Sequence, residues 1–183
     1  MNELLLDFPT LFQTERLQVR KPFPGDGAEV FESVQASRSW LSYGEIISTE
    51  EDAEADVRAS HAKFLLREEL RFHLYHKNEG FFLGALTLHP RNWDIPKFEI
   101  SFWLHNTHRN QGYMTEAMEG AVKFAFEKLA AKRLEIRCEL SNERARNLAE
   151  RLDFTLEGIL RNDRFTIDSN ELTDTCIYAK IKK

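Results

Sequence analysis

The chain has 183 residues, 42% hydrophobic and 30% charged, a balance that supports a packed α/β core and excludes a disordered or collagen-like polymer. A formal net charge of -5 and a pI near 5.7 argue against a surface built to bind nucleic acid directly. No apolar run reaches the length of a membrane span, and MNELLLDFPT lacks the basic start of a signal peptide, so the expected compartment is the cytoplasm.

In chain order, residues 17–21 alternate apolar and polar and end at Pro22, the pattern of a first strand. Pro24-Gly25-Asp26-Gly27 is turn chemistry, with Asp26 placed to cap a helix carrying Val30, Phe31 and Val34. Residues 39–44 (SWLSYG) follow, in which Trp40 and Tyr43 either line a pocket or plug the space between helices. Ser48-Thr49-Glu50-Glu51 has the form of a capping box, Ser48 capping and Glu51 reaching back. It predicts a helix to about residue 69 that buries Ala53, Val57, Phe64 and Leu65. The acidic first turn reads as a solvated helix N-terminus that suits the dipole, ahead of the alternative that it attracts a cationic amine. Residues 71–77 and 81–88 read as strands joined by Asn78-Glu79-Gly80, the second almost continuously apolar as a central strand should be. Residues 89–96, with His89, Pro90 and Trp93, read as a loop.

The next stretch organises the rest. In FEISFWLHNTHRNQGYMT (98–115), Phe98, Ile100, Phe102 and Leu104 alternate with Glu99, Ser101 and Trp103, the two-residue period of a strand. Polar residues and Gly112 follow, and then Met114, Met118, Ala121, Val122, Ala125 and Leu129 recur at helical spacing. Leu134, Ile136, Cys138 and Leu140 alternate again, which completes a βαβ unit with two parallel strands. Asn142 opens a short helix through Arg151, and residues 154–160 and 175–181 supply two closing strands. The expected fold is α/β of the α+β type, one domain over residues 1–183. About seven strands form a mixed, mostly antiparallel sheet around the central parallel unit.

Gly112 stands where the chain turns into the long helix. The first turn of a helix has N–H groups without intrahelical partners, and its dipole favours anions. A glycine there admits a phosphate close to the backbone, or simply serves an ordinary turn. The two cysteines, Cys138 and Cys176, sit in apolar alternating stretches and read as reduced, packed thiols. The six histidines show no ligand-like spacing, so no metal is expected.

Arg109-x-x-Gly112-x-Met114, followed by Thr115-Glu116-Ala117, resembles the coenzyme A signature of the GNAT N-acetyltransferases, (Arg/Gln)-x-x-Gly-x-(Gly/Ala). EISFWL before the loop, GYMTEA after it, Asn142, FTLEG at 154–158 and Arg161 resemble the RimJ/RimL branch, which acetylates the N-termini of ribosomal proteins. The likeness runs from about residue 16 to 181. It implies the GNAT fold and acetyl-CoA as donor. It implies that the backbone of Arg109, Asn110, Gln111, Gly112, Tyr113, Met114 and Thr115 holds the pyrophosphate. The backbone of Trp103, Leu104 and His105 would pair with the pantetheine arm, Asn142 touching that arm from the far side. Trp40, Tyr43 and Trp93 are the candidates for the acceptor cleft. The acceptor is then a protein N-terminus, ribosomal by the same resemblance, or a small amine such as a polyamine, amino acid or aminoglycoside. The protein is expected as a monomer or homodimer.

Acetyl transfer from a thioester needs a neutral amine, a stabilised oxyanion and a protonated leaving thiolate. Glu99 is the candidate base, since burial among apolar neighbours raises a carboxyl pKa; its alternative is an ion pair with a neighbouring strand. His105 and His108 lie near the mouth, and His108 precedes the phosphate loop, where it contacts coenzyme A or solvent. The chain departs from the family at three places. Ala145 stands where the family's Asn-x-x-Ser motif has its serine, which protonates the thiolate there; water or a residue such as Ser101 is expected to replace it. Asp153-Phe154 stands for Gly-Phe, and Met114 for Gly or Ala. Ala145 also motivates a different reading, an acetyl-CoA-binding protein with little turnover.

Overall fold

The computed structural model describes residues 2–37, 47–166 and 171–182, so Trp40 and Tyr43 lie outside the described residues. In chain order it contains β1 (Leu11–Gln13), β2 (Leu17–Arg20), α1 (Gly27–Ser37), α2 (Glu50–Leu65), β3 (Leu70–His76) and β4 (Phe82–Asn92). There follow β5 (Lys97–Leu104), α3 (Tyr113–Lys128), β6 (Arg133–Glu139), α4 (Glu143–Arg151), β7 (Thr155–Phe165) and β8 (Leu172–Ile181). The strands form one sheet in the order β1-β2-β3-β4-β5-β6-β8-β7. Every neighbouring pair is antiparallel except β5 and β6, the two arms of the expected βαβ unit.

Among the described residues there are eight strands where the alternation predicts about seven. The additional one is β1, three residues long and too short to show a period, held by pairing with β2 and by Phe12 stacked on Phe124 at 5.2 Å. Alternation along β5 sorts the two faces of the sheet. Phe98 and Ile100 are buried on the side of α3, where they share a core with Ala117, Met118, Ala121, Phe124 and Ala125. On the other face Trp103 joins Val30, Ala53, Val57, Tyr75 and Phe82 beneath α1 and α2. Each large apolar side chain removed from water here stabilises the fold by about 1.5–3 kcal/mol.

Local side-chain chemistry corrects three expectations. The capping box sits one residue later: Thr49 Oγ1 accepts from the Asp52 N–H (3.0 Å), and the Asp52 carboxylate accepts from the Thr49 N–H (2.9 Å). The helix starts at Glu50, so the residue in reach of the cap is Asp52 rather than Glu51, and α2 ends early enough to leave Leu65 half exposed. Asp26 spends its carboxylate elsewhere than on α1. It accepts from Arg20 at 2.7 and 2.8 Å, from the Phe23 N–H at 2.9 Å, and lies 2.9 Å from His73 Nδ1. Arg20 also donates to Tyr75 Oη (2.7 Å), which in turn donates to Glu29. Finally, residues 89–92 are strand, not loop. β4 pairs His89 with Glu99 and Pro90 with Phe98, and the register slips between Pro90 and Asn92, a bulge that accommodates a residue without an N–H.

Two features position the site and the sheet's margin. The parallel β5/β6 pair is registered only at Lys97↔Arg133, Phe98↔Leu134 and Glu99↔Glu135, although both strands run on; beyond Glu99 they part. At the far edge, β7 is exposed along most of its length, and its pairing with β8 slips twice, between Leu156 and Gly158 and between Leu160 and Arg164.

Candidate active site

The gap between β5 and β6 opens toward the C-terminal ends of both strands, where the chain passes from β5 into α3. Gly112 caps α3 with φ +81°, a left-handed conformation, and offers no side-chain hydrogen bond to the first turn. The amides and the positive end of the helix dipole there are suited to an anion. The backbone conformation calls for glycine, and a Cβ there would stand 3.3 Å from Arg16 Nη2, so that side chain would have to give slightly. The preceding residues are tied down locally. Gln111 Nε2 donates to the Thr107 carbonyl (3.0 Å), and the Thr107 N–H donates to His105 Nδ1 (3.2 Å).

Arg16 is the brace that sequence reasoning misses. Its Nη1 donates to the Gln111 carbonyl (3.0 Å), its Nε donates to Glu116 (2.6 Å), and its guanidinium lies 4.4 Å from the centre of the Tyr113 ring. Burial alone would push the Glu116 carboxyl up, but bonds from Thr14 and from Arg16 outweigh it and hold the group below its ordinary value. No local pattern announces this, because Arg16 and Glu116 are 100 positions apart in the chain. His108 is placed by stacking: its ring lies 4.7 Å from that of Phe81, which stacks on His76 at 4.9 Å. Burial, with His105 and His76 nearby, lowers its pKa and keeps it neutral at pH 7.

Along β5, the His105 N–H donates to the Leu83 carbonyl (2.8 Å). Hydrogen-bonded pairs alternate in an antiparallel ladder, so Ser101 and Trp103 also exchange bonds with β4, while the backbone groups of Phe102 and Leu104 turn toward β6 and the gap. Of the three residues expected to meet an extended ligand arm, Leu104 is the one aimed there. Asn142 stands at the same end of the sheet, after β6; its Oδ1 accepts from the Ala145 N–H (3.1 Å) and caps α4. Trp93 is not brought to this end. It sits at the closed end of the β5/β6 pair, edge-on to Phe98 at 5.0 Å, with Nε1 donating to the Arg67 carbonyl (3.2 Å).

Glu99 and Ser101 lie on the sheet face opposite α3. Glu99 is engaged by two guanidinium groups, Arg91 at 2.6 Å and Arg137 at 3.6 Å, the ion-paired alternative to a free base. Ser101 is exposed, and its Oγ lies 2.8 Å from His89 Nε2. Burial lowers the His89 pKa; Arg91 and Arg71 act in the same direction, against Glu69 and Glu99, and the ring is neutral at pH 7. A neutral imidazole, a hydroxyl and a parted pair of strands can together hold an extended acyl donor and move a proton beside it.

The GNAT acetyltransferase-domain family matches residues 16–155. The chain is 22% identical over 176 residues to the ribosomal-protein-serine acetyltransferase of Escherichia coli K12, covering 94% of this chain and 96% of that protein. Among solved structures, the microcin C7 self-immunity acetyltransferase MccE, in complex with acetyl-CoA and AMP, superposes with a TM-score of 0.83 at 17% identity, covering 92% of this chain and 93% of that one. RimL, the ribosomal L7/L12 α-N-protein acetyltransferase in complex with coenzyme A, gives a TM-score of 0.83 at 18% identity over 95% and 97% of the two chains.

Proposed function

The chain belongs to the GNAT acetyltransferase family, and on that premise we propose that it transfers the acetyl group of acetyl-CoA to the N-terminal α-amine of a protein. The observation that carries the donor half is the uncapped, left-handed Gly112 N-terminus of α3 beside the gap between β5 and β6. The backbone of residues 109–115, braced by Arg16, receives the pyrophosphate. Of Trp103, Leu104 and His105, Leu104 turns its backbone to the gap and pairs with the amide-bearing pantetheine arm as an added strand would, with Asn142 on the other side of the gap. The amine arrives from the face that carries Ser101; Trp40 and Tyr43, outside the described residues, stay acceptor candidates by resemblance alone. A ribosomal protein as acceptor is supported by the named activity of the Escherichia coli relative. A net charge of -5 suits a cationic protein tail as partner. Two buried, unpaired thiols accord with the cytoplasm.

The test is an acceptor screen that follows coenzyme A release from acetyl-CoA. Peptides beginning with Ser or Ala should exceed spermidine, free amino acids and an aminoglycoside in kcat/KM by at least about tenfold, ~1.4 kcal/mol. Small amines that outperform every peptide would overturn the acceptor, and tight acetyl-CoA binding without transfer to any amine would overturn the enzyme reading.

A further inference from the structure

We infer that His89, acting through the hydroxyl of Ser101, stores the proton of acetyl transfer: it takes the proton of the attacking amine and returns it to the departing thiolate. The inference rests on the acetyl-CoA reading above and adds to it a residue that the reading does not use. Ser101 is the first residue on its sheet face beyond the last registered position, Glu99↔Glu135, so its side chain stands where the two strands part. His89 reaches it because β4 stays a strand past Pro90, setting His89 opposite Glu99 with Nε2 2.8 Å from Ser101 Oγ. Behind the ring, Glu69 Oε2 lies 3.8 Å from Nδ1. That carboxylate favours the ring proton on Nδ1 and leaves Nε2 to accept from Ser101.

The charged groups around the ring come from every neighbouring element. Glu69, just before β3, and Arg71 of β3 approach from one side, with Asp56 of α2 on Arg71 at 2.5 Å; Arg91 and Glu99 approach from β4 and β5, with Arg137 of β6 on Glu99. The carboxylates are thus engaged with guanidinium groups, and the imidazole is the neutral base of the cluster.

The proton balance closes without a hydroxyl at position 145. The amine lone pair attacks the thioester carbonyl carbon and a C–N bond forms. The ammonium proton passes to Ser101 Oγ as the Ser101 proton passes to His89 Nε2. Collapse of the tetrahedral intermediate breaks the C–S bond, and the electron pair leaves on sulfur. The imidazolium then returns its proton through Ser101 to the thiolate, giving an amide and the coenzyme A thiol.

Two measurements test this. Nitrogen-15 NMR of histidine-labelled protein at neutral pH needs no acceptor and should find His89 uncharged, with its proton on Nδ1 and Nε2 bare. A charged ring, or a proton on Nε2, in an active enzyme refutes the relay alone. In the acetylation assay, His89→Gln should lower kcat about a hundredfold and reduce the acidic limb of the kcat/KM profile from two ionisations, ring and amine, to that of the amine alone, with the acetyl-CoA Kd unchanged. Ser101→Ala should do the same, and because Ser101 is exposed that variant folds even if His89→Gln does not. The double variant should be no worse than either single one. An acidic limb that keeps both ionisations in folded Ser101→Ala overturns the relay. A wild-type protein with the expected imidazole that acetylates no amine refutes acetyl transfer, and the relay with it.

Discussion

Replacing Asp26 by Asn removes the charge at the centre of the polar network under α1 while keeping the side chain's shape. The carboxylate accepts two bonds from Arg20 and one from the Phe23 N–H and lies 2.9 Å from His73 Nδ1, and the residue is only 8% exposed. The change strands the Arg20 guanidinium, whose side chain is 18% exposed, beside a neutral amide. Removing one partner of a buried pair costs about 3–5 kcal/mol. Asn keeps some of the bonds, so ~3 kcal/mol is expected, a Tm loss of about 6–12 °C at 2–4 °C per kcal/mol for a chain of this size. The pH dependence follows from the same contacts. Burial pushes the Asp26 carboxyl up, but bonds from His73, Arg20 and the Phe23 amide outweigh it and hold the folded value far below the ordinary range. A folded value below the unfolded one gives stability that is complete above the unfolded pKa, near 4, and lost as pH falls below it. Thermal melts of wild type and Asp26→Asn should therefore differ fully at pH 7 and converge below about pH 4. Equal melting temperatures at neutral pH, or a gap that stays constant down to acid, would refute the reasoning.

Gly112→Glu places a Cβ near Arg16 and a negative charge where the pyrophosphate is proposed to bind, and should weaken acetyl-CoA binding about a hundredfold, ~2.8 kcal/mol, by calorimetry; unchanged affinity in a folded variant removes the pyrophosphate from that loop. Trp93→Ala should cost stability near the low end of the 3–5 kcal/mol typical of buried aromatics, since Trp93 is only part-buried against Phe98, and leave the KM for acceptor peptides unaltered. A raised KM with an unchanged melting temperature would instead seat Trp93 in the acceptor cleft. Ala145→Ser should change kcat by less than about twofold if proton return already runs through Ser101; a large gain would show that a hydroxyl on α4 is the missing donor.

The βαβ unit and Gly112 were legible because β5, α3 and β6 each bury one face only, so their periods of two and 3.6 appear directly in the residues. Three parts of the site were not. Arg16 acts across the fold on Gln111 and Glu116, and nothing near it in sequence points there. His89 sits next to Pro90, which reads as the end of a strand; the bulge that keeps β4 paired is visible only once Pro90 faces Phe98 and Asn92 faces Lys97 across the hairpin. Glu99 was open between a base and an ion pair with a neighbouring strand, and which basic residues would meet it was not legible: Arg91 and Arg137, from two different strands, converge on it. The shifted capping box teaches the same lesson on a smaller scale, since two candidate caps were adjacent and only the start of the helix decides between them.

The two register slips in β7 bear on how the chain behaves before and after it folds. A long free edge carrying Leu156, Ile159, Leu160 and Phe165 in water is a template for sheet extension between molecules. The slips cut its ladder into segments of two, three and two registered residues, at Thr155–Leu156, Gly158–Leu160 and Arg164–Phe165. Asn162, with φ +51°, turns the backbone out of line between the last two, and Arg161, Asp163 and Arg164 put charge there. An incoming strand finds no continuous run of donors and acceptors to copy, so the outermost strand is guarded against fibril growth by its own irregularity.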